Sequence, residues 1–181
     1  MHPLKFRNAL MGKLARWFDA SDVERLADRA HFVLESIYTH VPPCVIFCLV
    51  STWCNAWCTN RRFQQKGRCQ LCLECHGEDS LEHYACCNFH WDVFARKTKQ
   101  PNISRSVQSF FVLSAQNEDE MVLQACHVYA VKRAVDHRRY DTGIRSLEWV
   151  QNLIWNGHCT AAMFHRGLAR RYAAIHAVAN T

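Results

Sequence analysis

The chain has 181 residues, 22 Lys+Arg against 16 Asp+Glu for a formal net charge of +6, and 11 Cys and 11 His. That length suits one domain, or one domain with a small satellite, and 49% hydrophobic residues exclude the disordered and fibrous classes. Six Gly and four Pro argue against a turn-rich β-sandwich, so the Cys and His load is the unusual feature.

The N-terminal stretch has no apolar core and no small-residue cleavage site, only scattered Lys5, Arg7, Lys13 and Arg16, so no secretory signal is read there. An odd Cys count also fits a closed disulfide framework poorly. A reduced, intracellular chain, nuclear or cytoplasmic, is expected. Leu4 to Phe18 carries a weak, basic helical pattern. Ser21 with Glu24 reads as a capping box. Val23, Leu26, Ala30, Val33, Leu34 and Ile37 then recur at helical spacing, predicting an amphipathic helix to about Thr39.

Between Glu35 and Arg61 no side chain is charged, a stretch long enough to span a bilayer. Pro42-Pro43 interrupts it, and Ser51, Thr52, Asn55, Thr59 and Asn60 are polar, so a buried helix from about Pro43 to Phe63 is expected instead, with no membrane contact. At 100° per residue, Val45, Ile46, Leu49, Val50, Trp53, Ala56 and Trp57 share one arc. Cys44, Cys48, Ser51, Asn55 and Cys58 line the other side. The pairs Cys44/Cys48 and Cys54/Cys58 have metal-gripping spacing, but a small-residue stripe for helix packing is the preferred reading.

Residues 66–92 do not read as a long helix. Asp92 to Lys99 does, ended by Pro101, and Ser104 to Leu113 is a short apolar helix or strand. Glu118-Asp119-Glu120 opens a long helix through about Arg139, with acids at its first turn and bases at its last, as the helix dipole favours. Ile144 to Trp155 and Ala161 to Val178 are two further helices broken at Gly157. The expected fold is mostly α, helices flanking a small Cys/His zinc knuckle. Its segments are 1–42 (N-terminal helices), 43–95 (the zinc-binding region) and 96–181 (a C-terminal helical region).

The knuckle begins with Cys69-x2-Cys72 and closes with His83-x3-Cys87. A Cys-x2-Cys turn converges two thiolates, and His83 and Cys87 face one point if helical. Together they make a Cys3His tetrahedron that suits one structural Zn²⁺ and leaves no position for a catalytic water. Cys72-x2-Cys75 with the same His83 and Cys87 is a second register. His76 is a near neighbour, and Cys86 is read as a thiol beside the ligands. The first register is preferred because it follows a basic flank.

That flank, Thr59 to Cys72, holds Arg61, Arg62, Lys66 and Arg68 and no acid, whereas Leu73 to Asp92 holds five acids and no Lys or Arg. Three thiolates on Zn²⁺ add a further negative charge. Nucleic acid, RNA or DNA, would therefore be drawn to Arg61, Arg62, Lys66 and Arg68 rather than to the knuckle tip. Trp53, Trp57 and Phe63 could stack on bases, but their helical spacing favours the core. Cys159 with His158 or His165 is read as an interior thiol rather than a nucleophile–base pair, and His127, His137 and His176 as helix residues. No phosphate-binding Gly-rich loop or hydrolase motif is present, and no small-molecule substrate is expected.

Trp53-Cys54-Asn55-Ala56-Trp57, Arg61-Arg62-Phe63, Cys69-x2-Cys72, Asp79-Ser80-Leu81-Glu82-His83-Tyr84 and Cys87 together resemble the zinc-binding domain that follows the polymerase in reverse transcriptases of non-LTR retrotransposons. The resemblance covers about residues 43–95, with Trp91 or Phe94 as the trailing aromatic. It implies a nucleic-acid-associated module with Cys69, Cys72, His83 and Cys87 as zinc ligands. The gap from Cys72 to His83 is longer than the family's pattern and contains Cys75-His76. No Asp-Asp pair occurs to hold two catalytic metal ions, so no polymerase activity is expected of the chain itself. The alternatives are a protein–protein adaptor using the acidic knuckle, with a protein partner, or a non-functional retrotransposon remnant.

Overall fold

The computed structural model describes residues 3–72, 75–100, 103–141, 143 and 146–165. The chain is mostly α-helical, as expected. The helices are α1 (Pro3–Leu14), α2 (Ala20–Ile37), α3 (Pro43–Trp53), α4 (Leu81–Cys86), α5 (Asn88–Thr98), α6 (Val107–Phe110), α7 (Glu118–Tyr140) and α8 (Leu147–Ala162), with a 3₁₀ turn at Arg61–Phe63. Of the helix expected from Ala161 to Val178, Ala161 and Ala162 end α8 and residues 163–165 form a turn; its remainder, with His176, and the stop at Pro101 lie outside the described residues.

The centre of the molecule is α7. Met121 to Val128 are buried without interruption, so this stretch is covered on every side rather than along one stripe. Helices α2, α3, α6 and α8 pack around it, α1 packs on α2, and α5 on α8. The start of α7 carries its own cap: Asn117 Oδ1 accepts the Glu120 N–H (3.0 Å), and Glu120 Oε2 accepts the Gln116 N–H (2.7 Å). The buried cluster draws on all three sequence segments, from Leu10 to Ala162.

Four boundaries differ from expectation, the simplest being α5, which starts at Asn88, four residues before Asp92. Helix α2 starts at Ala20, and Glu24 does not close a box with Ser21. Its carboxylate meets Arg7 on α1 at 2.8 Å, and Arg7 also reaches Asp28. Helix α3 stops at Trp53, ten residues early. Asn55 takes the left-handed region (φ 50°). Its N–H bonds Thr52 O at 3.0 Å and the Ala56 N–H bonds Ser51 O at 2.8 Å, which is a Schellman stop. Finally, α8 runs straight through Gly157. A β-carbon there would sit 3.4 Å from Cα of Ala130, so the glycine marks the close crossing of α8 on α7, not a break.

No helix among the described residues is long and apolar enough to cross a membrane; α3 has 11 residues. Trp53 and Trp57 are buried, their indole N–H groups bonding Phe111 O (2.9 Å) and Thr52 Oγ1 (3.0 Å). Phe63 is not core; it stands 57% exposed beyond the helix that was expected to bury it.

Candidate metal centre

The segment after α3 buries Trp57 and Leu71 in the core and is otherwise held by backbone bonds. Gln64, in the left-handed region, ends the 3₁₀ turn, and the Gln65 N–H returns to Asn60 O at 2.8 Å. The chain then pairs with itself across one antiparallel bridge, Arg68 with Glu78. The Cys69 N–H bonds Gly77 O (2.8 Å) and the Asp79 N–H bonds Gly67 O (3.0 Å). Ser80 caps α4 by accepting the His83 N–H at 3.1 Å. His83 and Cys87 thus stand one turn apart, facing the bridge.

Four ligand atoms converge there: Cys69, Cys75, His83 and Cys87 lie within 4.8 Å of one another. Cys69 and Cys87 are buried, His83 is half-buried and Cys75 is exposed. Cys75 Sγ is 3.4 Å from His83 Nε2. The sequence-predicted ligands Cys69, His83 and Cys87 come together as expected. Cys72 does not join them. Its sulfur accepts the Cys75 N–H at 3.2 Å, and the backbone turns at His76 (φ 49°) to bring Cys75 in. Cys86 is exposed and outside the group.

The Cys69 thiol is pushed up to about 12, first by its hydrogen bond with Cys87 and then by burial. Two sulfurs this close share a proton more readily than they carry two negative charges. A divalent cation placed among them removes that conflict, so binding releases protons. Gly77 supplies the space: a β-carbon there would lie 2.1 Å from Cε1 of His83. Donor set and packing both fit a bound metal ion.

Behind the cluster stands Asp79, fully buried. Its carboxylate accepts the Asn60 N–H (2.9 Å), the Tyr84 hydroxyl (2.6 Å) and both contacts of Arg139 Nη2 (2.7 Å each). Tyr84 in turn accepts the Gln70 N–H at 3.1 Å. Burial and the bond to Asp79 raise the Tyr84 hydroxyl well above its ordinary value, so it stays a donor. The run Asp79 to Tyr84 is therefore an anchor, a cap, a buried Leu81 and a ligand in sequence. The Arg139 partner, sixty residues on, carries no local sequence signal.

The basic residues Arg61, Arg62, Lys66 and Arg68 are all exposed along this loop. Arg61 pairs with Glu78 at 3.1 Å and approaches Glu82 at 4.0 Å. Arg62, Lys66 and Arg68 have no ion pair among the described residues. The small-residue stripe of α3 puts Cys48 inside and Cys44 at the surface, and Cys58, beyond the helix, is also exposed.

Two sequence-flagged histidines belong to the interior. His90, His127 and His158 are buried together, with His90 Nδ1 2.9 Å from His127 Nε2. His90 Nε2 meets the Tyr84 carbonyl, which can only accept. A neutral His90 therefore offers Nδ1 as acceptor, and His127 Nε2 donates to it. His137 packs on Trp149, ring centroids 5.4 Å apart. Cys159 is half-buried, and burial pushes its thiol up to about 11, away from the thiolate a nucleophile needs.

Searches against protein-family models, curated proteins and solved structures find no match for this chain.

Proposed function

We propose that the chain is a zinc-stabilised nucleic-acid-binding module, similar to the zinc-binding domain that follows the polymerase of non-LTR retrotransposons and without polymerase activity of its own. The observation that carries this reading is the exposed basic strip mounted directly on the Cys3His loop. Three sulfurs and one imidazole select Zn²⁺ over hard cations, and a closed set of four protein ligands marks a structural site. When bound, the ion fixes a loop that buries too little apolar surface to hold itself. Arg62, Lys66 and Arg68 then face solvent at fixed positions, and exposed Phe63 offers a ring for a base to stack on.

Binding of single-stranded RNA and duplex DNA to the zinc-loaded protein, measured across a salt series, tests the proposal. Affinity should fall steeply with salt. The triple variant Arg62→Ala/Lys66→Ala/Arg68→Ala should flatten the log–log slope by about 1 for each phosphate that is no longer neutralised. Salt-insensitive or absent binding rejects it. The Arg61 pairing with Glu78 and Glu82 favours a second reading, a protein contact on the acidic side of the knuckle. In that case Glu78→Lys/Glu82→Lys would abolish partner capture while nucleic acid is ignored.

A further inference from the structure

A second group of potential ligands lies away from the thiolate cluster. His40, Glu118 and His165 place ligand atoms within 4.8 Å of one another. They come from three distant parts of the chain: the turn after α2, the first residue of α7, and the turn that follows α8. Each is set by local structure. The His40 N–H bonds Ile37 O at 2.9 Å and the His165 N–H bonds Ala162 O at 3.0 Å, while the α7 cap fixes the backbone of Glu118.

His40 Nε2 is 3.3 Å and His165 Nε2 is 3.8 Å from the same oxygen, Glu118 Oε1, and His165 Nε2 is 3.6 Å from Asp119 Oδ1. The two ring centroids are 5.2 Å apart. The longer spacings are wide for hydrogen bonds. They match the edges of a coordination tetrahedron, about 3.4 Å for ligand bonds of about 2.1 Å. Two carboxylates beside two imidazoles supply the charge a dication needs and exceed the half charge of the α7 N-terminus. Side-chain exposure of 36% at His40 and 50% at Glu118 leaves the position open to solvent.

We propose that His40, Glu118 and His165, with Asp119 beside them, form a second metal site for a divalent transition-metal ion of the zinc class. Two imidazoles select such an ion over Mg²⁺ or Ca²⁺, and the absence of thiolate from the set disfavours Cu⁺. The exposure of Glu118 and the partial exposure of His40 make it exchangeable, whereas two of the three sulfurs of the Cys3His set, Cys69 and Cys87, are buried. The ion would clip the turn after α2 and the turn after α8 onto the start of the central helix.

Zn²⁺ titration of the full chain by calorimetry, with metal content measured after gel filtration, tests this directly. The wild type should take up a second, exchangeable equivalent that His40→Gln/His165→Gln loses and Glu118→Gln weakens at least tenfold. With Co²⁺, filling that equivalent should add no thiolate charge-transfer band. Saturation at one equivalent, or a second equivalent that survives in the double His variant, overturns the proposal. If the variants lose helicity, the wild type answers alone. Zn²⁺ should protect His40 and His165 from acylation by diethyl pyrocarbonate, and unprotected histidines would refute the site. Loss of the thiolate-bound equivalent bears only on the knuckle, so the two readings fail separately.

Discussion

A methyl group at Gly77 would sit 2.2 Å from Nδ1 of His83, far inside contact distance. A free imidazole could swing away at little cost, but one committed to a metal cannot. Gly77→Ala should therefore lower zinc affinity at least tenfold while changing the metal-free protein little, as competition with a chromophoric chelator would show. The fourth ligand is decided by a second pair of variants. Cys75→Ser should abolish stoichiometric zinc, whereas Cys72→Ser, at a sulfur that accepts the Cys75 N–H and lies outside the four clustered ligand atoms, should keep the metal with reduced affinity. The opposite pattern would return the site to the register preferred from sequence. Spacing could not settle this, because the clustered pair, Cys69 and Cys75, belongs to neither Cys-x2-Cys turn alone. The choice rests on a left-handed backbone at His76 that no residue type there announces.

Helices were legible where their ends carry chemistry of their own. The acidic first turn of α7 and the Pro-Pro start of α3 stood in the sequence, and both are observed. The end of α3 was not read, because its apolar arc continues to Trp57 after the backbone has already turned at Asn55. That residue is testable: Asn55→Ala places a β-branch-free but still chiral side chain at φ 50°, costing about 1 kcal/mol, while Asn55→Gly should be neutral or stabilising. Urea midpoints would separate the two. The crossing of α8 on α7 at Gly157 was missed for the complementary reason, since a glycine that ends a helix and one that admits a neighbour look alike in one sequence. Gly157→Val should overpack this contact with Ala130 and cost about 1–3 kcal/mol.

Across the whole molecule, the interior holds a set of histidines that must stay neutral. Burial lowers His90 to about 4 and His158 to about 3, and drives His127 well below its ordinary value. The unfolded chain protonates these rings near pH 6.5, so it binds more protons than the native state below that pH. Stability is thus complete above about pH 6.5 and declines as pH falls toward 4, by up to about 1.4 kcal/mol per pH unit for each ring. Comparing wild type with His158→Phe cancels acid release of metal, and the variant should show the shallower decline. The mostly α architecture and three of the four clustered ligands were accessible from periodicity and spacing. The contacts that join distant segments were not. Asp79 illustrates what such a contact implies. By accepting from Asn60, Tyr84 and Arg139, it makes the knuckle and the last turn of α7 one cooperative unit. Amide protons near Arg139 should then exchange faster when zinc is stripped from a site they never touch, making the far end of the central helix a built-in gauge of occupancy.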